Sequence, residues 1–149
     1  MRFGIPPIPI LPVPPGSAAM EQNKILNLFE QGSVLFPEIE VEAAKKPRYE
    51  HPLCKGVFLK DLVTGQETGG KFSYHLVRIW KDCEVLRHDH ETQWELNVVL
   101  DGKGVFYFEN REIPTEKGQV FVTPPKIHHT VSAGSEDLSL LAFFMPALV

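Results

Sequence analysis

Short runs of apolar residues, separated by turn-forming residues, dominate the chain from Lys55 onward. The residues between these runs are rich in glycine, proline and aspartate, which favour turns. Many short strands with turn signals roughly every 8–12 residues are typical of an all-β sandwich or barrel. The predicted strands are Lys55–Val63, Phe72–Trp80, Glu84–His90, Thr92–Leu100, Val105–Glu109, Glu112–Thr115, Gln119–Thr123, His129–Ala133 and Leu138–Pro146.

The last predicted strand, Leu138–Pro146, is apolar on both of its alternating faces. A strand with one face in water would show polar residues at every second position. Its outer face is therefore covered either by a preceding helix or arm of the same chain, or by a second subunit. We favour the second subunit, and so expect a homodimer, although local coverage would give the same pattern.

One helix is predicted ahead of the strands, over Glu21–Gln31. Its apolar residues Ile25, Leu28 and Phe29 fall on one helical stripe, and Gly32 is a suitable C-terminal stop. We expect this short amphipathic helix to pack on the outside of the barrel.

The chain between the helix and the first strand is rich in prolines and mixed charges, which favours irregular structure. One short strand is expected there, near Val34–Phe36 or Ile39–Val41, and His51 is expected in a solvated loop. Further on, Thr64–Gly70 is predicted to be a turn-rich loop.

Residues 1–19 contain six prolines between Pro6 and Pro15. This density disfavours the helical core of a secretory signal and favours an extended polyproline II arm. The segment is expected to be such an arm, a leader, or an extension ahead of a natural start at Met20. The chain is thus divided into residues 1–19 (arm or leader), 20–54 (helix and irregular lead-in) and 55–149 (barrel).

Composition narrows the possible partners. The 149 residues are 43% apolar and 23% charged, with a net charge of −4, and the longest basic run is two lysines. A nucleic-acid partner would require a concentrated basic face, and a membrane span about 20 consecutive apolar residues, so neither is expected. Cys54 and Cys83 lack a CxxC spacing and are expected to be reduced thiols of a cytoplasmic protein.

The candidate chemistry lies at His88, His90 and Glu95. Histidines at i and i+2 of a strand point to the same face, and parity would also turn Leu86 into the interior. Glu95 lies at an odd offset from His90, so a turn or bulge must intervene, and Glu91 is the rival carboxylate. With an imidazole from a second strand, this set suits divalent iron, manganese, nickel, copper or zinc.

The spacing His88-x-His90-x4-Glu95-x6-Gly102, followed by Gly118-x5-Pro124-x4-His129, resembles the two motifs of the cupin superfamily. That resemblance implies an all-β, double-stranded β-helix (jelly-roll) barrel, here with a short N-terminal helix. It also implies one divalent transition metal, with iron or manganese favoured, bound by His88, His90, Glu95 and His129. His128 falls on a non-ligand turn position, but two adjacent histidines leave open which one faces inward.

The chain departs from the cupin pattern at three positions. Asp82 and Lys126 stand where the motifs have turn glycines, and Ala133 stands where the second motif ends in asparagine. All four candidate ligands are present, so the departures concern turn geometry more than metal binding.

The resemblance favours a metal-dependent enzyme acting on a small organic molecule: a dioxygenase, or an isomerase or lyase of a sugar or keto acid. Three nitrogens and one oxygen leave two positions of a six-coordinate metal open for substrate, oxygen or water. Candidate substrate contacts are His75, Tyr74, Arg78 and Gln93.

A metal-free sensor is the alternative function. The segments 95–104 and 121–129 are also similar to the effector-binding barrel of arabinose-operon-type regulators, although we expect no helix-turn-helix after Pro146. A storage or scaffold barrel is a third possibility.

Overall fold

The computed structural model describes residues 24–149, which form twelve strands and two helices in chain order. The helices are α1 (Lys24–Gln31) and the single turn α2 (Gly65–Thr68), and a 3-10 turn spans Ala43–Lys45. The strands are β1 (Ser33–Leu35), β2 (Glu40–Glu42), β3 (Arg48–Glu50), β4 (Val57–Val63), β5 (Ser73–Ile79), β6 (Glu84–His88), β7 (Trp94–Asp101), β8 (Gly104–Phe108), β9 (Arg111–Pro114), β10 (Val120–Thr123), β11 (His129–Ala133) and β12 (Leu138–Met145).

The strands form two main antiparallel sheets and a small ribbon. The larger sheet has the order β10-β7-β12-β5-β4-β3, the smaller has β6-β11-β8-β9, and β1 pairs only with β2. Consecutive strands repeatedly lie in different sheets, which is the strand arrangement of a jelly roll. The predicted all-β jelly-roll barrel is thus confirmed.

The main core lies between the two sheets. Phe106 of β8 stacks on Phe121 of β10, with ring centroids 3.9 Å apart, and so joins the smaller sheet to the larger. Ile79 and Leu138, which are paired in register, are fully buried in the same cluster. Alternation along these strands places the apolar residues on the inner faces, as the sequence pattern predicts.

The helix α1 packs on the outer face of the larger sheet, but not through the predicted stripe. Leu26 is its buried residue and packs with Leu76, Leu100 and Leu141, whereas Leu28 is 65% exposed. Ile25 and Phe29 are also exposed, so the predicted face was wrong. The expected start of the helix at Glu21 lies outside the described residues, as do residues 1–19.

The strand β12 lies in the middle of the larger sheet, between β5 and β7. Its inner face contributes Leu140 and Phe144 to the core, and its outer face contributes Leu141 to the cluster under α1. The helix therefore covers part of the outer apolar face of β12, so part of this face is buried within the chain itself, which was one of the two alternatives that the sequence allowed.

Three segments ahead of β5 are more regular than expected. Both expected strand segments form, as β1 and β2, and β3 joins the larger sheet beside β4. The predicted loop at Thr64–Gly70 contains α2, because the Thr64 side chain accepts the Gln66 N–H while Glu67 accepts the N–H of Thr64. This reciprocal capping satisfies N–H groups that a single helical turn cannot pair internally.

A bulge in β6 overturns the predicted orientation of Leu86. His88 lies opposite His129, but Val85 lies opposite Val131, so β6 holds one more residue than β11 over this stretch. The extra residue reverses the alternation. Val85 therefore packs against the core, and Leu86 is 49% exposed rather than interior.

Two non-glycine turns carry positive φ angles, Asp82 at 61° and Lys126 at 66°. These are the positions at which the sequence departs from the turn glycines of the cupin pattern.

Cys54 and Cys83 are both free thiols. Neither helix in residues 24–149 has the length and apolar character needed to cross a bilayer.

Candidate metal centre

Four side chains converge where the two sheets meet. His88 ends β6 and His129 begins β11, directly opposite each other, while Glu95 is the second residue of β7. His90 follows β6 in the connection to β7. One potential ligand atom from each of these residues lies within 4.8 Å of the other three.

Two of the three imidazoles are oriented by the same backbone contact. Nδ1 of His88 donates to the Leu86 carbonyl at 2.7 Å, and Nδ1 of His129 donates to the Ile127 carbonyl at 3.0 Å. In each case the acceptor lies two residues earlier in the chain. Fixing the Nδ1 proton in this way turns Nε2 toward the cluster and fixes the ring orientation that a metal ligand requires.

The carboxylate of Glu95 lies at the centre of the cluster and is 6% exposed. Its Oε2 is 2.8 Å from Nε2 of His129, and its Oε1 accepts a hydrogen bond from Nδ2 of Asn97 at 2.7 Å. Nε2 of His90 is 3.2 Å from the same Oε2, but the contact is too poorly aligned for a hydrogen bond. His90 Nε2 is thus a buried polar atom without a hydrogen-bond partner.

The protonation of the cluster reflects this crowding. Burial opposes ionisation of Glu95, but the close imidazoles of His129 and His90, together with the Asn97 amide, outweigh it and hold the pKa of the carboxyl well below its usual range. Burial alone would lower the pKa of His129, yet the hydrogen bond with Glu95 raises it. The pKa of His88 is lowered by burial and by the neighbouring His129. In the metal-free protein, His129 and Glu95 thus form an ion pair.

The cluster fits a divalent transition metal. Three imidazole nitrogens and one carboxylate oxygen are the donors that iron, manganese, nickel, copper and zinc accept in proteins. The unsatisfied Nε2 of His90 is a second indication, because buried polar atoms are otherwise almost always paired and a metal bond would satisfy this one.

A cavity of about 590 Å³ opens on this cluster from between the sheets. His88, His90 and Glu95 line it, so that a metal held there would face the cavity. Most of the other lining side chains are aliphatic or aromatic, including Val57 and Phe144. The arrangement is that of a polar end that could hold a metal in a largely apolar pocket.

The rival candidates for ligands lie outside the cluster. The side chain of Glu91 is 78% exposed and lies 3.4 Å from Lys126. His128 is 41% exposed, with its Nε2 4.0 Å from Asp89. The structure therefore brings Glu95 and His129 into the cluster and leaves Glu91 and His128 at the surface.

Only one of the four predicted substrate contacts lines the cavity, and that residue is His75. Tyr74 stacks on Phe143, and Arg78 pairs with Asp137 at 2.8 Å, so both are engaged elsewhere. Gln93 lies in the half-buried connection before β7 and does not line the cavity.

The buried His75 forms part of a polar chain beside the cavity that runs out to the exposed Tyr49. Its Nδ1 is 2.8 Å from Asp61 Oδ1, its Nε2 is 2.9 Å from Ser73 Oγ, and the Tyr49 hydroxyl donates to the same Asp61 oxygen. Burial and the hydrogen bond to Asp61 raise the pKa of Tyr49 to about 12. Burial opposes ionisation of Asp61, but hydrogen bonds from His75 and Tyr49 lower its pKa overall. These bonds fix His75 in the cavity wall.

Sequence reasoning missed several cavity residues. Tyr49 and His51 reach the cavity from the segment that was expected to be irregular, and His51 is half-buried rather than solvated. Asn97, which holds Glu95, also lines it. Asn97 lies two residues after Glu95 on one strand, so strand parity could have identified it once Glu95 was chosen.

Comparison with known proteins agrees with this fold. The family described as the cupin domain matches residues 75–144. An oxalate-binding protein from Thermotoga maritima is 34% identical over 56 residues, which cover 37% of this chain and 46% of that protein. The chain spans about half the length of the curated relatives that it matches.

Two solved structures share the fold. A predicted oxalate decarboxylase from Thermotoga maritima has a TM-score of 0.65 at 22% identity, covering 71% of this chain and 97% of that one. An RmlC-like cupin from Shewanella frigidimarina has a TM-score of 0.62 at 14% identity, covering 78% and 95%. At these identities the likeness establishes the fold alone.

Proposed function

Because the chain belongs to the cupin superfamily, we propose that it is a metal-dependent enzyme that acts on a small organic molecule in the cavity between its sheets. The centre consists of His88, His90, Glu95 and His129 and holds one divalent transition metal, iron or manganese in preference to nickel, copper or zinc. The reaction is a dioxygenation, or an isomerisation or lysis of a sugar or keto acid.

The observation that carries this proposal is the position of the cluster at the cavity wall. Three of its four donors line a cavity of about 590 Å³, which lies within the range of about 300–1,000 Å³ typical of small-molecule sites. A purely structural metal site would be closed on all sides by protein ligands, whereas a catalytic site keeps open positions that face its substrate.

A metal bound there supplies Lewis-acid polarisation of a substrate oxygen, or activation of dioxygen if it is iron. The protein residues supply its setting. Asn97 and the carbonyls of Leu86 and Ile127 orient the donors, and the apolar walls restrict water around them. His75, held through both ring nitrogens by Asp61 and Ser73, is a fixed group in the cavity wall that shapes the site.

Turnover by the metal-loaded protein tests the proposal. Oxalate, 2-oxo acids, an enediol and free sugars are incubated with loaded protein, in air and without oxygen, and followed by NMR. Oxalate is included because the matched relative from Thermotoga maritima is named for binding it. We expect consumption of at least one compound by wild type and by His128→Ala, and none by His129→Ala.

Two results would overturn the enzyme proposal. Loaded protein that binds compounds but converts none of them would favour the sensor alternative. If His129→Ala kept the turnover, the activity would not depend on the cluster.

The cytoplasmic location stays a prediction that rests on the two free cysteines.

We also propose that the protein forms a homodimer through the outer face of the larger sheet. Beyond the area under α1, four outward side chains on three adjacent strands, Trp94, Val120, Val122 and Met145, are each 41–50% exposed. Among residues 24–149, no strand pairs with the outer side of β10, and such an edge beside an apolar patch suits a two-fold contact between identical copies.

Sedimentation analysis tests the dimer. Wild type and Ile39→Glu, which changes an apolar side chain of similar exposure elsewhere, are expected to sediment as dimers, and Val122→Glu as a monomer. A monomeric wild type at high micromolar concentration would contradict the proposal.

A further inference from the structure

We infer that the ligand of this cavity is amphipathic, with a single metal-chelating oxygen head group and an apolar tail of several carbons, and that oxalate is not its natural ligand. The inference rests on the proposed function, because the head group is assigned to the metal. It adds which kind of ligand body the rest of the cavity would bind.

The walls between the metal cluster and the mouth are largely apolar, and the two polar side chains in them, His75 and Asn97, already have hydrogen-bond partners. Val57, Val77, Leu140, Ala142 and Phe144 are all at most 7% exposed, and all line the cavity. Burying a polar or charged group against such walls without a partner costs free energy, whereas burying methylenes releases it. The body of the ligand that fits these walls is therefore hydrocarbon.

The mouth is largely apolar as well, although the exposed Tyr49 and Arg87 also line the cavity. Four aliphatic side chains line the cavity and are nevertheless strongly exposed: Leu53 at 79%, Leu86 at 49%, Leu148 at 40% and Val149 at 53%. Exposed apolar residues that cluster around an opening mark a surface that binds apolar groups. A tail can therefore keep apolar contacts along the whole way from the metal to the solvent.

The charge at the cluster selects a single anionic group. A divalent metal together with ionised Glu95 and three neutral imidazoles has a net charge of plus one, so one carboxylate or enolate neutralises it. Oxalate would bring a second negative charge. Among residues 24–149, the one lysine or arginine that lines the cavity is Arg87, whose side chain is 65% exposed and 3.6 Å from Glu109. Even with both of its carboxylates on the metal, oxalate would therefore leave one excess negative charge without a buried cationic partner.

The size of the cavity points the same way. A volume of about 590 Å³ is suited to drug-sized ligands, and oxalate, which has only two carbons, would occupy a small part of it. A chelating acid with a medium-length chain would fill the space from the cluster to the mouth.

Calorimetric titration of the metal-loaded protein tests the inference through binding, without relying on activity. The probes are oxalate, 2-oxobutanoate, 2-oxohexanoate and 2-oxooctanoate, with octanoate as the tail without a chelating head. We expect the Kd to fall about fourfold for each methylene added to the 2-oxo acid. We also expect oxalate and octanoate each to bind more weakly than 2-oxooctanoate.

Two variants locate the tail. Ala142→Leu fills the cavity from the inner face of β12, beside Asn97 and His75, and should weaken 2-oxooctanoate about tenfold or more while 2-oxobutanoate changes little. Leu53→Ser changes only the exposed rim and should weaken the longest acid by about threefold. Ala44→Leu, the same change as in Ala142→Leu at an exposed position, should match wild type.

The outcomes separate this inference from the proposed function. Protein that loads metal but binds the three 2-oxo acids equally, or binds oxalate most tightly, overturns the inference and leaves the metal enzyme standing. Failure to load any metal overturns the proposed function, and the head-group assignment with it. A tail effect that Ala142→Leu and Leu53→Ser both leave intact would place the tail outside this cavity and also overturn the inference.

Discussion

At the scale of single residues, three of the four donors in the cluster are held by a hydrogen bond to a group outside it. Backbone carbonyls hold His88 and His129, and the Asn97 amide holds Glu95. Strand alternation paired His88 with His90, whereas Glu95 and His129 were predicted from the resemblance to the cupin motifs. The carbonyl contacts could not be predicted, because they depend on the exact course of the backbone.

Removing the amide that holds Glu95 tests its role. Asn97→Leu keeps a similar volume but leaves Oε1 of Glu95 without its donor, so we expect metal affinity to fall about 10–100-fold, as for other groups that orient ligands. Chelator competition measures the affinity, and the exposed Asn110→Ala serves as the control. An unchanged metal affinity in Asn97→Leu would show that Glu95 does not depend on this bond.

The ion pair between His129 and Glu95 predicts a pH dependence of metal stabilisation. The lowered pKa of Glu95 stabilises the fold at pH values above about 4.3, the ordinary pKa of a glutamate. This stabilisation is lost as the pH falls through the pKa of Glu95 in the folded protein. The raised pKa of His129 adds stability that is complete below about 6.5 and is lost as pH rises through the folded pKa. The metal-free protein therefore gains most from the pair between about pH 4.3 and 6.5.

Metal binding must displace the His129 proton, so the increase in Tm on metal loading should be small in this window and grow at higher pH. Calorimetry of loaded and metal-free protein at about pH 5.5, 7 and 8.5 measures the difference. An increase in Tm that stays constant across this range would contradict the assigned ion pair.

At the scale of elements, two turns that lead into β6 and β11 adopt a backbone conformation that favours glycine but have Asp82 and Lys126 instead. Lys126 has a φ of 66°, and its N–H donates to the His90 carbonyl, which ties the turn before β11 to the segment that carries a ligand. A residue with a Cβ is strained by roughly 1–2 kcal/mol in this left-handed region. Glycine avoids the strain, but it loses about 0.5–1 kcal/mol more backbone entropy on folding, which offsets part of the gain. The sequence identified both departures from glycine, and the backbone keeps the glycine-like conformation at both.

Lys126→Gly should therefore stabilise the fold, by up to about 1 kcal/mol, despite losing the contact with Glu91. That contact joins two exposed side chains and contributes little. Denaturant unfolding measures the change, and Lys126→Ala, which keeps Cβ, should not be stabilised in the same way. Equal stability of the glycine and alanine variants would show that the turn is not strained.

The helix α1 shows where sequence patterns lose resolution. Ile25, Leu26, Leu28 and Phe29 are all apolar, and periodicity alone allows more than one buried face. Contact with Leu76, Leu100 and Leu141 of the sheet selects Leu26. This choice depends on residues far away in the chain, so the helix was predictable but its docked face was not.

Leu26→Ala should consequently destabilise the protein by about 2–5 kcal/mol, because it removes a fully buried side chain from this cluster. Leu28→Ala, at a position that is 65% exposed, should change stability by no more than about 0.5 kcal/mol. Thermal or urea unfolding of the two variants compares them directly. A larger loss for Leu28→Ala would mean that the predicted stripe, and not Leu26, holds the helix.

At the scale of the whole molecule, alternation and turn spacing predicted the barrel, and the resemblance to the cupin motifs predicted the position of the His/Glu cluster. The cavity was not predictable in this way. Its lining combines β3 and the chain after it with the inner faces of both sheets and with Leu148 and Val149. Such a set is assembled by long-range pairing, and the bulge in β6 reverses the parity on which a local prediction depends.

The central claim is that His88, His90, Glu95 and His129 hold one metal ion. Elemental analysis of protein purified without a metal-affinity column, and after reconstitution with iron or manganese, tests it most directly. We predict close to one equivalent in wild type and in His128→Ala, and almost none in His129→Ala. Absence of metal from the reconstituted wild type, or equal metal content in the two histidine variants, would contradict the claim.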